Sequence, residues 1–488
     1  MFNRKHRLWL ALAVLVAVAI LATITLAYCT NRHYSKLIKK ELLELQEQGY
    51  PTKLVDLNPP AIPDSMNGAI NFREAASLFQ KPSHIESPLL SGISDRRPAD
   101  WSEEEAQMVE NHLSQNTPAL ESLDNALAKP QCIFITDYSA GHALPLSHIT
   151  DFRSLARLLA LRSSFHLQAG RYGLAIQDSM RMARMSSLLE QDKTLISSFV
   201  AMAIEHLAYQ SLRSAIVDGN GQGALSPEDL LVLKVHRRIS NPETALAADM
   251  SLGIDLFENP RLEFFKSMLE AFPSQQRRQG EKPSIIEPII ETLKHMFDIL
   301  GPIGERLRFR LRVILILKQD EYEYVHFMRQ ALEAIRQPYP VAKTRSTILE
   351  KEVARIQAVR PVLLTGRITP VIVPFFRKYT LAQTQARLAR TGIAVELYRN
   401  EHGHYPGSLD DVAEMVGEKD LEDPFGAVLS KNEKEYSQTK LIYRREGDSY
   451  VLYSIEPNMK DDGGVKFEPH TQDVDIVWRG PITKSKEE

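Results

Sequence analysis

Cysteine is almost missing: Cys29 and Cys132 are the only two in 488 residues. So few sulfurs exclude a disulfide framework and a cysteine-based zinc site. A charge of one sign is also lacking. The 59 basic and 62 acidic side chains leave a net −3, so no basic field marks a nucleic acid as partner. No Walker-type loop, nucleophile elbow, His-Glu-x-x-His or dinucleotide fingerprint occurs, which removes the motifs that would name a chemistry. What remains is apolar content of 43%, ample for real cores in two to four domains.

One long apolar run stands out. Arg4, Lys5 and Arg7 precede the uncharged segment Leu8–Ala27. About 20 residues at ~1.5 Å rise match the ~30 Å hydrocarbon core of a bilayer. The cationic start predicts an uncleaved single-pass anchor in the inner (cytoplasmic) membrane, with the bulk of the chain periplasmic or otherwise extracytoplasmic. A cleaved signal peptide would have a shorter apolar region and a small-x-small site. A lipobox ending at Cys29 would need a small residue where Tyr28 stands. "PVLLTGRITPVIVPFF", broken by Arg367 and Pro370, is too short for a second span and reads as a buried connector.

Beyond the anchor, Tyr34–Gln48 continues as a polar stalk helix, and "LNPPAIPDSMNG" is a linker that cannot be helical throughout. From Trp101 helical periodicity dominates, with Ser102 as an N-cap ahead of three acids. Ile149–Ile216 reads as three consecutive helices, the first broken at Gly170. "RLRFRLRVILIL" fits a strand by its alternation and a helix by its neighbours. The helix around Tyr379–Glu401 stops at Gly403, Tyr405-Pro406 turns the chain, and Ser408 caps a short helix with Asp410 and Asp411 in its first turn. "KLIYRREGDSYVLYSI" reads as a hairpin turning at Glu446-Gly447-Asp448.

Three stretches have the spacing of sites. "DGNGQGALSPED" places Asp218, Asn220, Gln222, Ser226 and Asp229 at EF-hand positions, but Ser226-Pro227-Glu228-Asp229 is also an ordinary helix start, the preferred reading. Glu323 and His326 form one Glu-x-x-His where a carboxylate-bridged metal bundle needs two, so a solvated helix face is expected. His402 and His404 flank a helix stop and read as C-terminal caps.

Three resemblances rest on residues of this sequence. "AGRYGLA", with Gly170, Tyr172 and Ala175, resembles the turn of one tetratricopeptide unit; an ordinary helical hairpin is the preferred reading. Tyr398, Gly403, Tyr405, Pro406, Leu409, Asp423, Pro424, Gly426, Tyr453, Ser454, Asp475 and Ile476 form an ordered set. It resembles the globular domain of the major, G-type pseudopilins of type II secretion. The N-terminal run lacks the family's Glu and Gly-Phe processing site, so an assembling pseudopilin is not expected. The whole arrangement is similar to large membrane-anchored proteins of planctomycete-type bacteria, which implies location and build but no activity. The pseudopilin resemblance implies calcium held by the Ile455 carbonyl, Asn458, Asp473 and Asp475, with Asp461 and Asp462 as further acids. Asn458 stands where the family has Asp, and Glu456 and Met459 replace glycines.

The expected fold is therefore mainly α. It has an anchor (1–30), a stalk and Pro-rich linker (31–100), a helical region, TPR-like in part (101–374), a small α/β pseudopilin-like domain (375–482) and a disordered tail (483–488). The expected function is a non-enzymatic interaction or scaffold role in the envelope, through an unidentified protein partner. The alternatives are an accessory component of a type II secretion or pilus-like system, and an envelope hydrolase whose groups come together only in space.

Overall fold

The computed structural model describes residues 4–94, 96–221, 241–259, 301–359, 365–429, 436–455, 459–464 and 475–480. The chain is mostly helical, with a small antiparallel strand region near its C-terminus. It divides into two units. One holds residues 1–56, 247–334 and 344–373; the other holds 57–246, 335–343 and 374–488.

In the first unit, α1 (Arg4–Glu47) is a single helix of 44 residues, so the apolar run and the polar stalk are one rod. Among the described residues no helix is long and apolar enough to cross a membrane, and many side chains of Leu8–Ala27 lie outside them. The "RLRFRLRVILIL" segment is helical, being part of α10 (Gly301–Ile335). Its later part, with Tyr324, Phe327 and Met328, is buried, as are Leu252 and Phe257 of α9 (Pro242–Glu258). The Tyr324 hydroxyl donates to the Asp249 carbonyl (3.0 Å), and a Cβ at Gly253 would lie 2.1 Å from that hydroxyl. Gly253 is needed for this close approach.

The second unit opens with irregular chain and short helices. These include α2 (Ala69–Leu78), α3 (Glu86–Ser94), α4 (Glu103–Gln115) and α5 (Thr117–Leu127). Ser102 caps α4 reciprocally with Glu105, as its spacing predicts. The three expected helices are α6 (Ser147–Gln168), α7 (Tyr172–Leu189) and α8 (Leu195–Gly221). Gly170 between the first two has φ +68° and open space where a Cβ would sit. It serves the left-handed turn and not close packing. Ala175 does the packing: it is fully buried, and its carbonyl accepts from the Ser163 hydroxyl across the hairpin (3.2 Å).

Helix α11 (Tyr339–Val359) precedes the long α12 (Ile372–His402). The end of the expected connector is thus already helix, with Pro374 tolerated in the first turn and Phe375 and Phe376 buried. Gly403 ends α12 at φ +78°, and Ser408 with Asp411 forms the cap of the next turn. "EDPFGAV" is strand, not only turn. It lies in β1 (Glu422–Leu429), which pairs antiparallel with β2 (Tyr436–Lys440), with the register broken between Glu422 and Ala427 where Pro424 cannot donate. Strands β3 (Ile442–Glu446), β4 (Ser449–Ser454) and β5 (Ile476–Arg479) form a second antiparallel sheet in that order.

The boundary expected near residue 374 does not divide the core. Leu388, Ile393 and Leu397 of α12, Leu409, Tyr450 and Trp478 cluster with Tyr172, Ile176, Tyr209 and Ile216 from α7 and α8. Trp478 lies so close to α12 that a Cβ at Gly392 would sit 2.6 Å from its ring. A separate cluster draws on all the helices from α2 to α8.

Candidate functional site

The acidic loop between β4 and β5 is organised by carboxylates that accept backbone N–H groups. Asp475 Oδ2 accepts from Asp462 N (3.1 Å) and Gly464 N (2.8 Å). Asp461 Oδ1 accepts from Gly463 N (2.9 Å) and the Tyr453 hydroxyl (3.0 Å). Gly463 and Gly464 both have positive φ, at +80° and +70°, which lets the backbone curl over the carboxylate. The other Asp475 oxygen, Oδ1, is buried without a hydrogen-bond partner. Burial pushes the Asp475 carboxyl above its usual range, and the charges of Asp462 and Asp461 add to the rise against the Gly464 amide.

Of the four residues expected to hold calcium, the described ones are Ile455 and Asp475; Asn458 and Asp473 lie outside the described residues. The Ile455 amide donates to Asp423 Oδ2 (3.1 Å). Asp423 Oδ1 takes the Ser454 hydroxyl (2.6 Å) and the Phe425 amide (3.0 Å), so this one buried carboxylate ties β1 to the end of β4. The sequence marked Asp423 only as part of a corner. Among the described residues no cluster of three His, Cys, Asp or Glu side chains has the geometry of a metal site. The free Oδ1 of Asp475, beside two further acids, is nevertheless hard-oxygen chemistry of the kind calcium requires.

Glu323 and His326 are half-buried, so the face expected to be solvated is open to water only in part. His326 Nδ1 meets Glu41 Oε1 of α1 at 2.9 Å, its ring stacks on Tyr322 (5.6 Å), and Arg329 takes the other oxygen of Glu41. A carboxylate 285 positions away in sequence is therefore the partner of the histidine of this Glu-x-x-His. His402 behaves as the sequence predicts, with Nδ1 on the Tyr398 carbonyl (3.0 Å) and its ring stacked on Tyr398. Helix α8 continues to Gly221, so Asp218 and Asn220 of the EF-hand-like stretch are helical; Gln222, Ser226 and Asp229 lie outside the described residues.

Two buried polar clusters carried no sequence signal. Asp178 in α7 receives Arg162 through Nε (2.9 Å) and Nη2 (2.5 Å), and Arg181 through Nη1 (3.1 Å). His148 Nε2 meets Asp192 Oδ2 at 2.5 Å, and the His148 ring stacks on Phe134. The Tyr138 hydroxyl donates to the Asp192 carbonyl. Cys132 feels the same aspartate, but burial first and that charge second push its thiol up to about 12, so no thiolate is available as a nucleophile. One open cleft includes Arg336, Tyr379 and Gln383 in its wall. Their polar ends are already engaged: Arg336 with Glu243 (2.9 Å), and Gln383 with the Tyr379 hydroxyl (2.5 Å). No family model, curated protein or solved structure matches the chain.

Proposed function

We propose that this chain is a single-pass membrane-anchored protein whose extracytoplasmic bulk works as an interaction scaffold in the bacterial envelope. The observation that carries the reading is the continuity of α1. A cationic start, about 20 uncharged residues and a polar stalk share one helix. Along it Val14, Val18, Leu21 and Ile24 are each more than half exposed, an apolar surface that a bilayer would cover. A reporter enzyme active only outside the cytoplasm, fused after Glu488, is expected to be active. Activity from a cytoplasmic reporter at the same fusion point would overturn the reading.

Calcium in the β4–β5 loop belongs to the same proposal. Calcium would be held by Asp475 and its neighbours and would supply the positive charge that the buried Oδ1 lacks. The full chain is expected to gain stability as RT ln(1 + [Ca]/Kd), about 2.7 kcal/mol at a hundredfold excess over Kd. Asp475→Asn keeps an oxygen for the two loop amides and removes the charge. Its melting temperature in chelator should be no lower than that of the native chain, and its calcium response should vanish. Asp475→Ala strands the amides of Asp462 and Gly464, at a cost of about 1–3 kcal/mol even without calcium. Because the folded carboxyl titrates above its unfolded value, native stability in chelator should fall as pH rises through the folded pKa. Identical melting of the native chain in calcium and in chelator would remove the metal from the proposal.

A further inference from the structure

The open cleft beside Arg336 lies wholly within the second unit. The start of α9, the turn between α10 and α11, the start of α12 and the β1–β2 pair supply its walls. Its volume of about 650 Å³ falls within the ~300–1,000 Å³ usual for ligand sites.

Carboxamides make up much of the polar wall, with Asn241, Gln337, Gln383 and Gln438 all lining it. The side chains of Gln337 and Gln438 bond no other described residue. Asn241 spends its oxygen on the Glu243 amide (3.0 Å), which leaves its NH2 unused. Gln383 donates to the Tyr379 hydroxyl (2.5 Å), which leaves its carbonyl oxygen unused. Each carboxamide can both donate and accept.

Charge on the same wall is cancelled. Arg336 meets Glu243 (2.9 Å), and Glu422 meets Arg387 (3.5 Å). Among the described lining residues no uncompensated charge is offered to an anion or a metal ion. Tyr379, half-buried in the wall, adds aromatic surface with a polar tip. Burial pushes its hydroxyl up to about 12, so the group stays neutral. An extended peptide finds no continuous strand edge here. Pro424 of β1 stands in the wall without an N–H, and the β1–β2 register breaks between Glu422 and Ala427.

We propose that this cleft binds a short neutral oligosaccharide, its hydroxyls on the carboxamides of Gln337, Gln383 and Gln438 and one pyranose ring against Tyr379. Sugar hydroxyls donate and accept at once, as carboxamides do, and a pyranose ring presents a C–H face to an aromatic one. The proposal does not depend on the membrane anchor or on calcium.

The full chain in lipid nanodiscs is titrated with cellotetraose, chitotetraose and maltotetraose, followed by saturation-transfer NMR. Saturable transfer to the ring protons of at least one of them is expected. Gln337 is exposed and Gln438 half-buried, so replacing both by Ala should leave the melting temperature in place. Losing those two neutral hydrogen bonds should weaken the sugar about tenfold. Tyr379→Phe keeps the ring and should bind within about threefold of the native chain, whereas Tyr379→Ala should abolish saturation. Tetragalacturonate, with a carboxylate on every ring, should bind about tenfold more weakly than the neutral sugar, because no free cation receives it. No saturable transfer from any of the three sugars would overturn the proposal, as would native affinity in the double Gln variant. Equal or tighter binding of tetragalacturonate or of tetraalanine would assign the cleft to an anion or a peptide and overturn it as well.

Discussion

Residues 375–488 produced alone are expected to lack a cooperative melt and fixed near-UV circular dichroism from Trp478. About 110 residues can in general bury enough surface to fold, and the sequence has turn and strand signals enough for a separate module. The packing argues otherwise. Leu388, Ile393, Leu397 and Trp478 share their core with Tyr172, Ile176, Tyr209 and Ile216, all of which the fragment would lose. Each fully buried large side chain contributes roughly 1.5–3 kcal/mol, against a total stability of only about 5–15 kcal/mol for a domain. Losing one side of the cluster is enough to decide the outcome. A cooperative melt of the isolated fragment, with the Trp478 near-UV signal of the full chain, would show that the shared core is dispensable.

The largest effect of a single substitution is expected at Asp178. Its carboxylate is buried and holds Arg162 by two contacts and Arg181 by a third, while Arg181 also reaches Asp124 (2.7 Å). Asp178→Ala leaves half-buried guanidinium charge without its partner, a loss of about 3–5 kcal/mol. Replacing the pair together, Arg162→Met with Asp178→Leu, should recover most of that loss, because no charge is then stranded. Urea unfolding of the three proteins separates the cases. An Asp178→Ala midpoint indistinguishable from the native one would mean that water enters the hairpin and solvates both arginines. His166 adds a pH component. Burial first holds its imidazole below the usual value, with Asp178 opposing. Folding therefore disfavours its protonation, and stability should fall as pH drops from the unfolded value of about 6.5 through the lower folded pKa.

Some of the chain could be read one stretch at a time. Ser102 with Glu105, Gly170, Ser408 with Asp411 and the turn at Gly447 act over three or four residues, and each stands where its spacing places it. The three helices α6–α8 follow from apolar periodicity alone. The β1–β2 pair was harder to see, since Pro424 and Gly426 speak against a strand. The ladder tolerates them only because its register breaks there, and because Gly426 admits Thr439, whose hydroxyl would lie 1.9 Å from an added Cβ.

The candidate sites were less legible, and the reason is distance along the chain. His326 gives no sign in its own neighbourhood that Glu41 will meet it, nor His148 that Asp192 will, and Asp423 looks like any turn aspartate. A lone His or Asp carries the same local pattern whether it faces solvent or a partner far away in sequence. Asp475 was singled out through a resemblance, whereas its role as acceptor for two loop amides came from the backbone path of Asp462–Gly464.

By itself the sequence determined the helical character, the caps and breaks, the hairpin at Gly447 and the uncharged run Leu8–Ala27, because these depend on propensity and periodicity within a few turns. Only the tertiary structure decided that α12 and Trp478 close a core with α7 and α8, and that Asp178 gathers two arginines. It alone left the Tyr209 hydroxyl and the Arg213 Nε buried without hydrogen-bond partners. Those outcomes depend on which surfaces meet and on which buried polar groups find partners, and no local window of sequence carries that information.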